Sequence, residues 1–368
     1  MEIPRSKYLK FKEESIQGRY VVNAQILAYL ENVPSNFKVE TIGYSVLKKP
    51  IKMLTIGSGE QKILMWSQMH GNESTTTKAT LDLINFLKED SNFSKLIKKA
   101  CTLKIILMLN PDGAEVYTRV NANEVDLNRD AQNQTQPESS VLKKVFDDFQ
   151  PDFCFNLHGQ RTIFNVGDSP KSATVSFLTP AFDAERNLSE SRERSMKLIA
   201  AMNTLLQKEI PGQVGRYDDG FNANCVGDTF QMANVPTILF EAGHFPGDYD
   251  REKTREFIWL TLMEACRVIA EKEIHRYDVE RYFEIPDNNK LFFDILIHHA
   301  NALHEKYKEG ESVGVLFQEK LVNGAIDFVP KIEKVGDLSM YFGHKVFNGL
   351  VNKDLEDIQE NSRLFKTL

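Results

Sequence analysis

The chain has 368 residues, 42% of them hydrophobic and 26% charged, a composition typical of soluble globular proteins. Its formal net charge of −7 argues against a nucleic-acid partner, because such binding depends on Lys and Arg neutralising phosphates. No segment has the roughly 20 unbroken apolar residues of a membrane span, and the N-terminus lacks an apolar core of signal-peptide length. We therefore expect a cytoplasmic protein with no nucleic-acid or membrane partner. The composition leaves its oligomeric state open.

The length and the cysteines limit the organisation of the chain. A chain of this size forms either one large α/β domain or a domain with an appendage. Its four cysteines are widely scattered, so we expect free thiols of a reducing compartment.

The first three quarters of the chain alternate between strand and helix patterns. A strand, a helix and a strand in succession form a βαβ unit, so we expect an α/β fold with a mixed, mainly parallel central sheet flanked by helices. The predicted strands cover residues 39–46, 51–57, 63–66, 103–109, 152–159, 173–178 and 236–240. One predicted helix follows Glu73, and others cover residues 138–149, 184–208 and 251–272.

The pattern changes after Tyr277. We expect a helix over residues 290–304, although its apolar clusters are short for one. Asn323-Gly324 then lies between two alternating runs, a strong signal for a β-hairpin. We therefore predict a catalytic domain over residues 1–277 and a small β-rich C-terminal domain over residues 278–368.

Three predicted strands end in residues that can bind or serve a metal ion. His70 and Glu73 follow the strand at 63–66, His158 lies at the end of the strand at 152–159, and Glu241 follows the strand at 236–240. A catalytic zinc ion commonly has two histidine ligands and one carboxylate ligand, with a fourth position for water. His70, Glu73 and His158 meet this requirement, which leaves Glu241 to accept a proton from the water. One Zn²⁺ per chain is expected.

Short motifs across about residues 60–245 resemble those of the zinc metallocarboxypeptidase family typified by the pancreatic carboxypeptidases. They occur in the family's order and are His70-Gly71-Asn72-Glu73, Asn110-Pro111-Asp112-Gly113, Thr118-Arg119, Val125-Asp126-Leu127-Asn128-Arg129, Leu157-His158-Gly159 and Phe240-Glu241. The joint match is highly specific, although no single motif is.

The resemblance implies a role for each matching residue. His70, Glu73 and His158 would bind zinc, Glu241 would be general base and acid, and Arg119 would polarise the scissile carbonyl. Asn128 and Arg129 would hold the terminal carboxylate of the substrate, and a guanidinium suits that task because it binds carboxylates in a bidentate manner. Asp126 would accept a hydrogen bond from the first zinc histidine and so set its tautomer.

The chain also departs from the family pattern. Asp130 stands where family members often have Asn, which is expected to alter the charge near the carboxylate pocket. Tyr217 is the only tyrosine between Ile210 and Glu241, which makes it the candidate for the family's mobile substrate-binding tyrosine. The acidic loop over residues 219–228 suggests, as a hypothesis, a preference for basic or amine-bearing substrates.

We therefore expect a zinc metallocarboxypeptidase that hydrolyses an amide bond next to a free carboxylate through a zinc-activated water. The chain also resembles the aspartoacylase and succinylglutamate desuccinylase group in its H-G-N-E and D-L-N-R motifs and its β-rich C-terminal part. That resemblance implies instead a deacylase of N-acyl amino acids. A third alternative is a zinc-holding module that binds peptides without catalysis.

Overall fold

The computed structural model describes residue 3 and residues 5–368, which form a large mixed sheet with helices around it and a smaller C-terminal sheet. The strands are β1 (Lys38–Tyr44), β2 (Pro50–Ile56), β3 (Gln61–Ser67), β4 (Cys101–Ile106), β5 (Phe153–Gly159), β6 (Asn165–Val166), β7 (Val175–Leu178), β8 (Val214–Arg216), β9 (Thr237–Ala242), β10 (Asn288–Asn289), β11 (Phe292–His298), β12 (Ser312–Val322), β13 (Ala325–Gly336) and β14 (Phe342–Asn348). The α-helices are α1 (Tyr8–Phe11), α2 (Asn23–Leu30), α3 (Thr75–Lys88), α4 (Asn92–Ala100), α5 (Pro111–Glu115), α6 (Pro137–Phe149), α7 (Glu190–Glu209), α8 (Val226–Met232), α9 (Glu252–Ala270), α10 (Glu280–Phe283), α11 (Asn352–Glu360) and α12 (Ser362–Thr367).

The large sheet has eight strands in the order β1-β2-β4-β3-β5-β9-β7-β8. Its central strands β4, β3, β5 and β9 are parallel, whereas β1, β2 and β7 join it in antiparallel pairs. The predicted α/β class with a mixed, mainly parallel sheet is therefore confirmed. β5 is buried along nearly its whole length, because helices cover a parallel sheet on both faces. This burial explains why its sequence is a nearly continuous apolar run.

The helices begin near the predicted positions, with one clear difference. The pattern predicts a helix from residue 184, but α7 begins at Glu190 because the Ser189 side chain accepts a hydrogen bond from the Arg192 amide.

Among the described residues, none of the helices combines the length and the apolar composition that a membrane crossing requires. All four cysteines are free thiols, and three of them are buried, whereas Cys225 is partly exposed.

The C-terminal sheet has four strands in the order β13-β12-β11-β14 and its own apolar cluster. Asn323 and Gly324 form the predicted hairpin turn between β12 and β13, both with positive φ, of 49° and 77°. The predicted helix over residues 290–304 is wrong. Residues 292–298 of this segment form β11, which pairs with β12 and β14, because a short apolar run fits a buried central strand as well as a helix. The domain boundary at residue 277 stays a prediction.

A buried ion pair joins α3, α9 and the N-terminal segment. Arg255 Nη2 lies 2.6 Å from Asp82 Oδ1, both side chains are fully buried, and Tyr8 Oη donates to Asp82 at 2.9 Å. Removing one partner of such a pair leaves an uncompensated buried charge, so R255M is expected to lower the free energy of unfolding by about 3–5 kcal/mol.

Urea unfolding of R255M and the wild-type protein would measure this loss. R363M is the matched control, because Arg363 makes an exposed ion pair with Asp327 that is worth at most about 1 kcal/mol. Equal losses in the two variants would contradict the prediction.

Candidate active site

Three neighbouring parallel strands bring their carboxyl ends to one edge of the large sheet. β3 pairs with β5, and β5 pairs with β9, with His158 directly opposite Glu241 in the register. Paired residues on adjacent strands point to the same face of a sheet. The side chains of His158 and Glu241 therefore share one face, beside the loop that follows β3 and carries His70. Sheet topology thus brings together residues that lie as far as 171 positions apart in the chain.

The loop after β3 is held against the loop after β4. Gly71 packs so closely there that an added Cβ would lie 2.1 Å from the backbone carbon of Gly113. The Asn110 side chain accepts a hydrogen bond from the Gly113 amide at 2.8 Å and donates to the Met69 carbonyl at 3.2 Å. The H-G-N-E and N-P-D-G motifs therefore form one structural unit that positions His70.

His70, Glu73 and His158 form a compact group whose potential ligand atoms lie within 4.8 Å of one another. His70 Nδ1 is 2.9 Å from Glu73 Oε1, and His158 Nδ1 is 2.9 Å from Glu73 Oε2. The two Nδ1 atoms are 3.1 Å apart. Both histidines are buried, and the Glu73 side chain is 13% exposed. The structure thus brings the three predicted metal ligands together.

The hydrogen-bond chemistry of this group fits a metal cation. Asp126 Oδ1 lies 3.0 Å from His70 Nε2, which places the ring proton on Nε2 and leaves a lone pair on Nδ1. That lone pair points at a carboxylate oxygen of Glu73, an arrangement that needs a cation or an extra proton. Burial lowers the pKa of His158, which favours the neutral ring that a metal binds. His70, Glu73 and His158 therefore fit a zinc ion.

Arg119 is attached to the same group through two carboxylates. Its Nε donates to Asp126 Oδ2 at 3.0 Å, and its Nη1 lies 3.4 Å from Glu73 Oε1. The side chain is 47% exposed, so the guanidinium is oriented and still reachable by a substrate. Asp126 contacts both His70 and Arg119, a position consistent with the role that the family resemblance implies.

Glu241 lies beside the metal-binding group without joining it. Its side chain is buried, and Oε2 has no hydrogen-bond partner among the described residues. Burial and the nearby Glu73 carboxylate raise the pKa of Glu241 well above its usual range. Arg251 holds the ends of β5 and β9 by donating to the Gln160 and Ala242 carbonyls, each at 3.0 Å. Glu241 is therefore a buried carboxylate next to the metal-binding group, and its Oε2 has no hydrogen-bond partner in the described part of the chain.

Asn128 and Arg129 lie on a short 3₁₀ turn that ends close to α8. Asn128 Oδ1 accepts from the Val226 amide at 3.2 Å, and Arg129 Nη1 donates to the Asn128 carbonyl at 2.7 Å and to Cys225 Sγ at 3.5 Å. No acidic side chain is paired with Arg129 in the described part of the chain. Its charge is therefore available to a substrate carboxylate.

The charge of Asp130 is directed away from Arg129. Its oxygens accept hydrogen bonds from the Thr135 amide and hydroxyl and from the Gln136 amide, at 2.8–2.9 Å. The carboxylate thus stabilises the loop before α6. The sequence pattern alone suggested an effect on the carboxylate pocket, and these contacts argue against it.

Tyr217 is half-buried and packs on Phe164, with ring centroids 5.2 Å apart. Burial and the Glu241 and Glu73 carboxylates raise the pKa of Tyr217, which favours its protonated form. The acidic loop that follows has fewer free charges than its sequence suggests. Asp219 pairs with Arg186 and Arg192, which weakens the hypothesis of a preference for basic substrates.

Several residues near the site were not predicted from the sequence. Arg161, three positions after His158, lines the same cavity as Glu73 and Arg119. Its closeness to His158 in the sequence was the one signal that could have revealed it. Arg19 and Asp294 also line this cavity, but both come from distant segments, and no local pattern marks either of them.

One known protein family matches part of this chain. Residues 23–150 match the family Peptidase_M14, described as zinc carboxypeptidase. This segment includes His70, Glu73, Arg119 and Arg129. His158, Tyr217 and Glu241 lie beyond it.

Curated relatives are carboxypeptidases of fungi and plants. The chain is 26% identical over 189 residues to a probable carboxypeptidase 2 of Arthroderma benhamiae, across 50% of this chain and 34% of that protein. It is 27% identical over 189 residues to carboxypeptidase SOL1 of Arabidopsis thaliana, across 42% and 38% of the two chains. The chain thus spans little more than a third of the length of these relatives.

Solved metallocarboxypeptidases share the fold. A metallo-carboxypeptidase of Burkholderia cenocepacia aligns with a TM-score of 0.55 at 17% identity, over 68% of this chain and 69% of that one. A metallo-carboxypeptidase of Pseudomonas aeruginosa aligns with a TM-score of 0.54 at 16% identity, over the same shares. The chain is therefore similar to the zinc carboxypeptidase family over residues 23–150, and it shares the fold of solved metallocarboxypeptidases.

Proposed function

We propose that the chain is a zinc-dependent metallocarboxypeptidase that hydrolyses an amide bond next to a free carboxylate. One observation carries the proposal. The buried carboxylate of Glu241, whose Oε2 has no hydrogen-bond partner among the described residues, lies opposite His158 in the register, beside the compact group of His70, Glu73 and His158.

The proposed ligands are His70, Glu73 and His158. A zinc ion held there would polarise the scissile carbonyl and lower the pKa of a water molecule. The Glu241 carboxylate takes a proton from the attacking water and returns it to the leaving amine. The raised pKa of Glu241 suits a group that must both accept and release a proton.

Four cationic or polar side chains orient the substrate in this proposal. Arg119 donates hydrogen bonds to the carbonyl oxygen as negative charge develops there. Asn128 and Arg129 bind the terminal carboxylate, and Tyr217 contributes its protonated hydroxyl as a donor. Asp126 holds His70 and Arg119 in place through the contacts described above.

R129K is expected to reduce kcat/KM by about 10- to 100-fold for substrates with a free terminal carboxylate, since lysine cannot form the bidentate pair. Rates for a peptide acid and its matched C-terminal amide would measure the effect. The acid-to-amide preference should fall in R129K and stay unchanged in R363K, whose exposed arginine is on α12. An unchanged preference in R129K would rule out its role in carboxylate binding.

The deacylase of N-acyl amino acids remains a second candidate. It is favoured by the position of the C-terminal sheet, whose strands β12 and β13 line the cavity beside Glu73 and Arg119. A panel of peptides ending in Lys, Phe or diaminopimelate, together with N-acyl amino acids, tests both candidates. Hydrolysis of peptides supports the carboxypeptidase, hydrolysis of the N-acyl amino acids alone supports the deacylase, and binding without turnover supports the non-catalytic module.

A further inference from the structure

One cavity of about 400 Å³ lies against the candidate active site. Glu73 and Arg119 form part of one wall. The facing wall comes from the C-terminal sheet and includes Leu316 and Phe317 of β12 and Phe328 of β13. The candidate active site and the C-terminal sheet therefore enclose one common space.

The residues proposed to bind the terminal carboxylate do not line this cavity. Asn128, Arg129 and Tyr217 lie outside its lining, whereas Arg119 belongs to it. A substrate with its carboxylate on Asn128 and Arg129 and its scissile carbonyl near Arg119 would direct the opposite end into the cavity. The end directed into the cavity is the acyl part of the substrate, which lies on the N-terminal side of the scissile bond.

A half-buried ion pair fixes the β12 wall to the rest of the protein. Arg19 Nη2 lies 2.9 Å from Glu319 Oε1, and the arginine side chain is 10% exposed. Tyr117 Oη donates to Glu319 Oε2 at 2.5 Å, and Tyr117 lies in the same loop as Arg119. Glu319 therefore connects the wall directly to the loop that positions the proposed oxyanion donor.

Asp294 on β11 provides a second connection between the C-terminal sheet and the rest of the protein. This buried carboxylate accepts hydrogen bonds from Tyr249 Oη at 2.9 Å, the Phe317 amide at 2.8 Å and Thr162 Oγ1 at 3.2 Å. The Tyr249 ring packs on Phe317 and Phe328, each with centroids 5.3 Å apart. The aromatic wall is therefore held by polar contacts and ring packing rather than left free to swing aside.

We propose that the C-terminal sheet limits the acyl part of the substrate to a short group. The substrates would be di- or tripeptides or N-acyl amino acids rather than the C-termini of long polypeptides. A volume near 400 Å³ is at the small end of the range of roughly 300–1,000 Å³ for small-molecule sites. This inference rests on the proposed function, because it assigns the acyl part of that same substrate to the cavity.

A series of peptides that share their two C-terminal residues and differ only in length tests the length limit. The fixed end comes from the best peptide of the panel, and alanines extend it N-terminally to a total of two, three, five and nine residues. From three to five residues, kcat/KM is expected to fall by about tenfold or more, because the added residues meet the wall.

Two substitutions in the cavity wall formed by β12 and β13 should shift the limit on substrate length in opposite directions. F328A removes a ring of the wall and should raise kcat/KM for the nine-residue peptide relative to the dipeptide. Q318W adds bulk at an exposed position that lines the cavity and should depress cleavage of the tripeptide while sparing the dipeptide. F365A is the control, because Phe365 is exposed on α12 and away from the cavity.

The outcomes separate the length limit from the proposed function. Equal kcat/KM along the series, or an unchanged length profile in Q318W, would overturn the length limit and leave the carboxypeptidase standing. Failure to hydrolyse any peptide or N-acyl amino acid would overturn the proposed function itself. If thermal unfolding shows that F328A does not fold, Q318W still decides the question.

Discussion

E241Q is expected to lower kcat by about 10²- to 10⁴-fold and to leave the zinc content unchanged. Glutamine has nearly the same shape as glutamate but cannot accept the proton of the attacking water. The side chain makes no contact that the metal-binding group needs, and its Oε2 is unpartnered among the described residues. The loss should therefore appear in the chemical step and not in metal binding.

Two measurements on the same preparation test this prediction. Steady-state kinetics on the best peptide of the panel give kcat, and elemental analysis gives zinc per chain. E333Q is the matched control, because Glu333 is an exposed residue of β13. If E241Q retained a substantial part of the wild-type kcat, Glu241 would not be the general base.

E73Q should weaken metal binding by more than the roughly 10- to 100-fold that follows the loss of a group hydrogen-bonded to a ligand. Both Glu73 oxygens face histidine nitrogens at 2.9 Å, and Oε2 also accepts a hydrogen bond from the Gly159 amide at 3.0 Å. An amide in this position carries no charge and presents only one oxygen. Activity should fall together with metal content.

Competition with a zinc chelator would measure the affinity of E73Q, E241Q and the wild-type protein. The two variants remove similar carboxylates at the same edge of the large sheet, so each serves as the control for the other. The expected pattern is loss of zinc in E73Q and retention in E241Q. Full zinc affinity in E73Q would remove Glu73 from the ligand set.

Much of the fold follows from local patterns. The buried runs of β3, β5 and β9 and the amphipathic helices between them have lengths and periods that single out strand or helix. The pattern failed at residues 290–304, because a short apolar run fits a buried strand and a helix equally well. Pairing with β12 and β14 decides that segment, and these partners are contributed by residues 312–348.

Site residues could be predicted from the sequence where a short motif brings its own side chains together. H-x-x-E delivers His70 and Glu73 together, since one turn of chain separates them. By contrast, no local pattern indicates that Asp219 is paired with Arg186 and Arg192, which lie on a separate segment of the chain. Such charges depend on partners that only folding brings near.

The sequence by itself determined the residue types at three strand ends, their order along the chain and the family that they resemble. Tertiary structure decided the register that places His158 opposite Glu241, and it placed β12 and β13 across the cavity from Arg119. The physical reason is that backbone preferences and apolar periodicity act over a few residues, whereas strand order and the packing of one sheet against another depend on contacts between distant segments. The chemistry of the site could therefore be anticipated from the chain, and the space left for a substrate could not.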